Sequence, residues 1–116
     1  MPRHEFVIVY ITTPDAKTAN NIARKLIQDK LAACVNIISR VRSIYQWKGK
    51  IETSSELLLV VKTRQSLLRK MQDAVLKIHP YEVPEFIAVP LIYASPLYAK
   101  WLGEACKTSI MKEPTV

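Results

Sequence analysis

Residues 34–61 read CVNIISRVRSIYQWKGKIETSSELLLVV, and this stretch decides the fold. Its first half is rich in β-branched and aromatic residues, which suit a pleated and half-buried surface. Val35, Ile37, Val41, Tyr45 and Trp47 share one parity with Ser39 and Ser43, so residues 34–47 read as one long strand. Gly49 then interrupts the run between Trp47-Lys48 and Lys50-Ile51. The chain has only two glycines, where average usage of ~7% would give about eight. A glycine at this point therefore marks a hairpin turn. The run that follows ends in Leu57-Leu58-Leu59-Val60-Val61, a second strand apolar on both faces.

Outward from the hairpin, two helices and two more strands fall into place. Residues 6–12, Phe-Val-Ile-Val-Tyr-Ile-Thr, read as a strand. Thr13-Pro14 then looks like an N-cap followed by proline at the first helical position. Ala16, Ala19, Ile22, Ala23, Leu26 and Ile27 recur at helical spacing, which predicts a helix over about 14–30. Gln65-Ser66 reads as the cap of a second helix, with Leu67, Leu68, Met71, Ala74, Val75 and Ile78 on its apolar side. His79-Pro80 ends it. A loop through Pro84 leads to a fourth strand at 86–89, with Pro90 at its end. Ser95-Pro96 opens a short third helix, and the tail after Thr108 is expected to fray.

The order β-α-β-β-α-β plus a short C-terminal helix is the ferredoxin-like split-βαβ pattern, an α+β fold with a single antiparallel sheet. All 116 residues make one domain, with a core over about 6–105. Two crossover helices cover one face of such a sheet, and the short third helix covers part of the other. The first, third and fourth strands are apolar on both faces, so a second face is left greasy, and a homo-oligomer that buries it is expected. The competing reading is a larger cap by the third helix and the tail.

Composition narrows the function. Seventeen Lys and Arg against ten Asp and Glu give a net charge of +7, but the basic residues are dispersed. An RNA-binding module of this fold shows stacking aromatics on its third strand; here that strand reads Glu56 to Lys62 with no aromatic, so no nucleic-acid partner is expected. No apolar run approaches the ~20 residues of a membrane span. The amino terminus shows no secretory signal pattern, which predicts a cytoplasmic protein. Two cysteines, Cys34 and Cys106, are expected as reduced thiols, Cys34 buried and Cys106 exposed. No nucleophile–base pair and no glycine-rich phosphate loop stands out, so no enzyme activity and no organic cofactor is expected.

Three segments carry a resemblance: Leu31-Ala32-Ala33-Cys34-Val35-Asn36-Ile37, then Ser43 to Glu52 (SIYQWKGKIE), then His79 to Glu85 (HPYEVPE). With Thr12-Thr13-Pro14, Lys62-Thr63 and Tyr98-Lys100-Trp101 in the same order, the chain resembles the CutA family of divalent-cation tolerance proteins. The resemblance implies a homotrimer of ferredoxin-like subunits, PII-like in architecture, whose long hairpin reaches a neighbour. It also implies a part in copper and other divalent-metal tolerance or response. Animal members are associated with membrane anchoring of acetylcholinesterase. Some bacterial members carry Cys where this chain has Ile11 and a second His where it has Ile78, so a copper site built on those positions does not transfer.

Candidate metal ligands follow from donor chemistry. His79, Glu82 and Glu85 lie within one loop, and imidazole with carboxylates suits Cu2+ or Zn2+. The competing reading of His79 is a brace at the helix C-terminus. Cys34 is a soft copper donor or an inert buried thiol. With Met1 removed, His4 and the preceding nitrogens form a square-planar Cu(II) site that needs no fold. Tyr45, Trp47, Lys62, Tyr81 and Glu85 are candidates for an intersubunit cleft holding an anion or metabolite. The competing reading makes Tyr45 and Trp47 interface anchors.

Overall fold

The computed structural model describes residues 5–107. The expectations for His4 and for the tail after Thr108 lie outside the described residues. The order is β1 (Phe6–Thr13), α1 (Ala16–Gln28), β2 (Cys34–Trp47), β3 (Lys50–Arg64), a 3-10 turn (Gln65–Leu67), α2 (Leu68–Ile78), β4 (Ile87–Pro90) and α3 (Pro96–Ala105). The strands form one antiparallel sheet in the order β2-β3-β1-β4.

Cross-strand partners share a face, so the register sorts the apolar residues. One face carries Val9 and Ile11 of β1 opposite Val61 and Leu59 of β3, all four fully buried. They pack with Ala19, Ile22 and Leu26 of α1 and with Met71 and Val75 of α2, which makes this the core. The opposite face carries the rows Val89–Ile8–Lys62–Cys34, Ile87–Tyr10–Val60–Asn36 and Thr12–Leu58–Ile38. Here Ile8, Tyr10, Leu58 and Val60 are half-buried, while Ile38, Ile87 and Val89 are exposed.

Two helix starts differ from the sequence reading. Thr13 is not a cap: β1 runs on through it to pair with Leu57, and its hydroxyl donates to the Leu57 carbonyl. Asp15 caps α1 instead, its carboxylate accepting from the Thr18 N–H at 2.8 Å, so the helix begins at Ala16. That hydrogen bond holds the Asp15 carboxyl below its usual range. Gln65 and Ser66 enter a 3-10 turn, and α2 starts at Leu68 without a side-chain cap. Ser95 precedes α3 with Pro96 at its start, as the sequence predicts, though no side-chain cap bond forms.

The hairpin turn is Lys48-Gly49, both at positive φ (51° and 81°), the backbone a two-residue turn demands. Residues 41–47 and 50–56 pair only with each other and overhang the rest of the sheet. The overhang gives dimensions of 56 × 27 × 24 Å and a radius of gyration of 15.4 Å, above the ~13 Å of a compact chain this size.

A bulge in β2 changes which residues share a face. Ile38 pairs with Leu58, but the next pair is Val41 with Glu56, so Ser39-Arg40-Val41 oppose two residues; Arg40 sits at φ 64°. The extra residue inverts the alternation. Val35 and Ile37 point to the core face, whereas Val41, Ser43, Tyr45 and Trp47 point to the open face. The shared parity read from sequence therefore holds on each side of the bulge but not across it.

The second glycine permits a close approach. Arg64 at the end of β3 donates from Nη2 to the Gly103 carbonyl at 2.6 Å, and a Cβ on Gly103 would lie 2.9 Å from that nitrogen. α3 is thereby seated at the end of the sheet, with Leu102 and Cys106 fully buried. Cys106 is thus not the exposed thiol expected. It packs beneath the last turn of α3, its thiol 3.1 Å from the Leu102 carbonyl, and burial raises its pKa.

Candidate functional site

α2 ends at His79 because Pro80 cannot continue the helix and disfavours a helical residue before it. The His79 N–H closes the last turn on Val75 at 2.9 Å, and its backbone turns extended. The ring is buried, 8% exposed, and reaches across to the end of β1. Its Nδ1 accepts from the Tyr81 N–H at 3.1 Å. A backbone N–H can only donate, so the ring proton sits on Nε2, which donates to the Thr12 carbonyl at 2.8 Å. Both ring nitrogens are engaged, and neither lone pair is free for a metal in this arrangement. The brace is therefore a neutral ring tying two backbones together, not a cation facing the helix dipole.

This tie aims the loop. Tyr81 stacks on His79 with ring centroids 4.9 Å apart and sends its hydroxyl to Glu56 Oε2 at 2.6 Å. Burial and that hydrogen bond raise the Tyr81 phenol far above its ordinary range, so it stays a donor. Glu56, only 6% exposed, lies on the open face at the root of the overhanging hairpin. Its Oε1 lacks a hydrogen-bond partner among the described residues, and Glu56 lines a cleft of about 700 Å³. Tyr45 and Trp47 from the hairpin form one wall, and Tyr81, Glu82 and Glu85 from the loop form the other. Tyr45 is fixed by a 2.7 Å hydrogen bond with Ser54. Burial, with the Glu56 charge added, raises the Glu85 carboxyl.

The predicted residues thus divide. The structure brings Tyr45, Trp47, Tyr81, Glu82 and Glu85 together and adds Glu56, which the sequence reading did not single out. The signal for Glu56 was a carboxylate at the edge of an otherwise apolar strand end. Lys62 does not belong to this cleft. It pairs with Ile8 and Cys34, six positions further along β3, about 20 Å away. There its ammonium hydrogen-bonds to Asn36 Oδ1 and lies 4.0 Å from Cys34 Sγ. Cys34 is half-buried on the open face and belongs to this second cluster, remote from His79. The cleft without Lys62 has three carboxylates and no Lys or Arg in its lining, so it repels an anion and attracts a cation. Among the described residues, no three of His, Cys, Asp and Glu converge as a ready metal cage. The cleft offers carboxylate oxygens, donors suited to divalent cations.

The fold and cleft define a small α+β protein with one antiparallel sheet, an overhanging hairpin and a cation-attracting pocket at the hairpin's root. The sequence profile described as CutA1 divalent ion tolerance protein matches residues 7–105, and the chain belongs to that family. It is 47% identical over 95 residues to a CutA homolog of Xenopus laevis, covering 82% of this chain and 63% of that protein. It is 42% identical to the divalent-cation tolerance protein CutA of Thermus thermophilus, covering 84% and 94%. The solved structure of a Thermus thermophilus divalent cation tolerance protein superposes with a TM-score of 0.85 at 41% identity, covering 86% of this chain and 97% of that one. The CutA1 structure of Oryza sativa gives 0.85 at 40%, covering 88% and 94%. The chain spans 63% and 56% of the length of its Xenopus and Arabidopsis relatives. Among the described residues no helix is long and apolar enough to cross a membrane.

Proposed function

We propose that this chain is a divalent-cation tolerance protein that works as a cytoplasmic homotrimer of ferredoxin-like subunits and binds the cation, copper included, in the cleft at the hairpin root. The strand order and the two crossover helices support the ferredoxin-like assignment. The exposed Ile38, Ile87 and Val89, and the overhang of residues 41–56, support a trimer that buries the open face. Free thiols at Cys34 and Cys106 fit a reducing compartment, although an Arabidopsis relative is named chloroplastic and an Archaeoglobus fulgidus structure periplasmic.

One observation carries the cation reading: the buried Glu56, whose bond to Tyr81 uses only Oε2, lines a cleft it shares with Glu85. Two carboxylates close enough to raise one of them gain from a cation between them. Water or a neighbouring copy completes the coordination shell. Any such oxygen site holds Cu2+ more tightly than other first-row divalent ions. The PII-like alternative, with an anion in the cleft, loses its cation once Lys62 is placed elsewhere.

The test is equilibrium dialysis of Cu2+, Zn2+ and Mn2+ in a His4→Ala background, which removes the amino-terminal copper mode. Glu56→Gln/Glu85→Gln should weaken binding by at least tenfold. Unchanged binding there, with loss in His79→Ala at intact fold, would move the metal to the imidazole and overturn the reading.

A further inference from the structure

We propose that the same cleft binds an organic cation, a primary ammonium on an alkyl or aryl body, and that metal and ammonium compete for it. This rests on the reading of the cleft as a cation site and names a second class of ligand for it. Size is the first argument. About 700 Å³ is far more than one metal ion occupies and falls within the ~300–1,000 Å³ of small-molecule sites.

Lining is the second argument. A divalent ion uses carboxylates of the lining, Glu56 and Glu85 among them, but gains nothing from the rings of Tyr45, Trp47 and Tyr81 beside them. Within one chain those rings are not absorbed by the core, since Tyr45 and Trp47 are 43% and 40% exposed. An alkylammonium uses both halves. Its three N–H donors meet carboxylate oxygens, and its apolar body and charge lie against aromatic faces. The chain already sets one ammonium over such a ring, with Lys48 Nζ 5.6 Å from the Trp47 ring centroid.

The third argument is the buried wall. Glu56 is more than nine-tenths buried, and Tyr81 satisfies only its Oε2. Glu56 lines the cleft with its Oε1 not used by Tyr81, and a charged N–H donor is the strongest complement to that carboxylate. The lining carries no cationic side chain of its own to fill that role.

The experiment is an amide and indole chemical-shift titration of the full chain with n-butylammonium chloride, with n-butanol as neutral control at matched ionic strength. The expected result is a saturable shift at Tyr45, Trp47, Glu56 and Tyr81 with butylammonium and none with butanol. Trp47→Leu should weaken butylammonium at least tenfold, a larger loss than it causes in divalent-cation binding. Glu56→Gln should weaken both. No saturable shift, an equal response to butanol, or full affinity in Trp47→Leu overturns the proposal. Divalent binding without butylammonium binding overturns it and leaves the metal reading standing. Butylammonium binding that no divalent ion displaces overturns the competition, and with it the metal reading, and keeps only the organic site.

Discussion

The two faces of the sheet are built from the same residue types and meet opposite fates. On the helix side Val9, Ile11, Leu59 and Val61 are sealed by α1 and α2. On the open side Ile8, Tyr10, Val60, Ile87 and Val89 form equally apolar rows that α1 and α2 do not cover, and all five stay half-buried or exposed. The first face is completed by its own chain. The second is left open by its own chain, and its polar residues gather at two ends: Cys34, Asn36 and Lys62 at one, and the carboxylate cleft at the hairpin root.

Substitutions separate these roles. Val9→Asp places an unpaired carboxylate in the sealed core, at a cost of several kcal/mol against a total stability of about 5–15 kcal/mol. Circular dichroism should show an unfolded chain; a native spectrum would break the distinction between the faces. Val60→Asp lies on the open face, one position along β3 from the sealed Val61. It should keep the fold and lose the proposed assembly, so light scattering falls from the trimer's three times 13.2 kDa to a single chain. Unfolding of Val60→Asp to the same extent as Val9→Asp would show that the faces do not differ.

His79 links the two sides, since it ends a core helix and aims the loop of the cleft. His79→Ala leaves the Thr12 carbonyl and the Tyr81 N–H without partners, at about 1–3 kcal/mol for each group left unsatisfied. Thermal unfolding should record a drop of that order, and an unchanged midpoint would remove His79 as a brace. The smallest effect concerns Glu85. Its folded pKa is raised above 4.5 by burial and by Glu56. The folded state therefore holds the proton more tightly, and stability declines as pH rises from about that value through the raised one. Glu85→Gln should raise the melting midpoint slightly at pH 7 and flatten its pH dependence. A lower midpoint would mean that the carboxylate has a stabilising partner.

The element order was legible because each segment carries its own period: β-branched runs for strands, helical spacing at Ala19 to Ile27 and Leu67 to Ile78, and a scarce glycine at the turn. The greasy second face was legible for the same reason. The site was only half legible. The bulge at Ser39-Arg40 has no glycine to announce it, so the move of Tyr45 and Trp47 to the open face follows from pairing and not from parity. Lys62 and Glu56 lie on one strand and one face, and only the register shows that they serve different ends. Cys106 is buried by the seating of α3 on Arg64, a long-range contact that no local pattern encodes. His79 was legible as a candidate, but the use of both its nitrogens depends on backbone atoms 67 and two residues away.

The central claim is that the working site of the open face is the carboxylate cleft at the hairpin root. Paramagnetic broadening by Mn2+ in amide NMR spectra locates a bound cation directly. Signals of Glu56, Tyr81 and Glu85 should vanish first, at low ratios of metal to chain, while those of Cys34, Asn36 and Lys62 persist. Broadening that starts at Cys34 and Lys62, or that spreads evenly over the surface, would contradict the account.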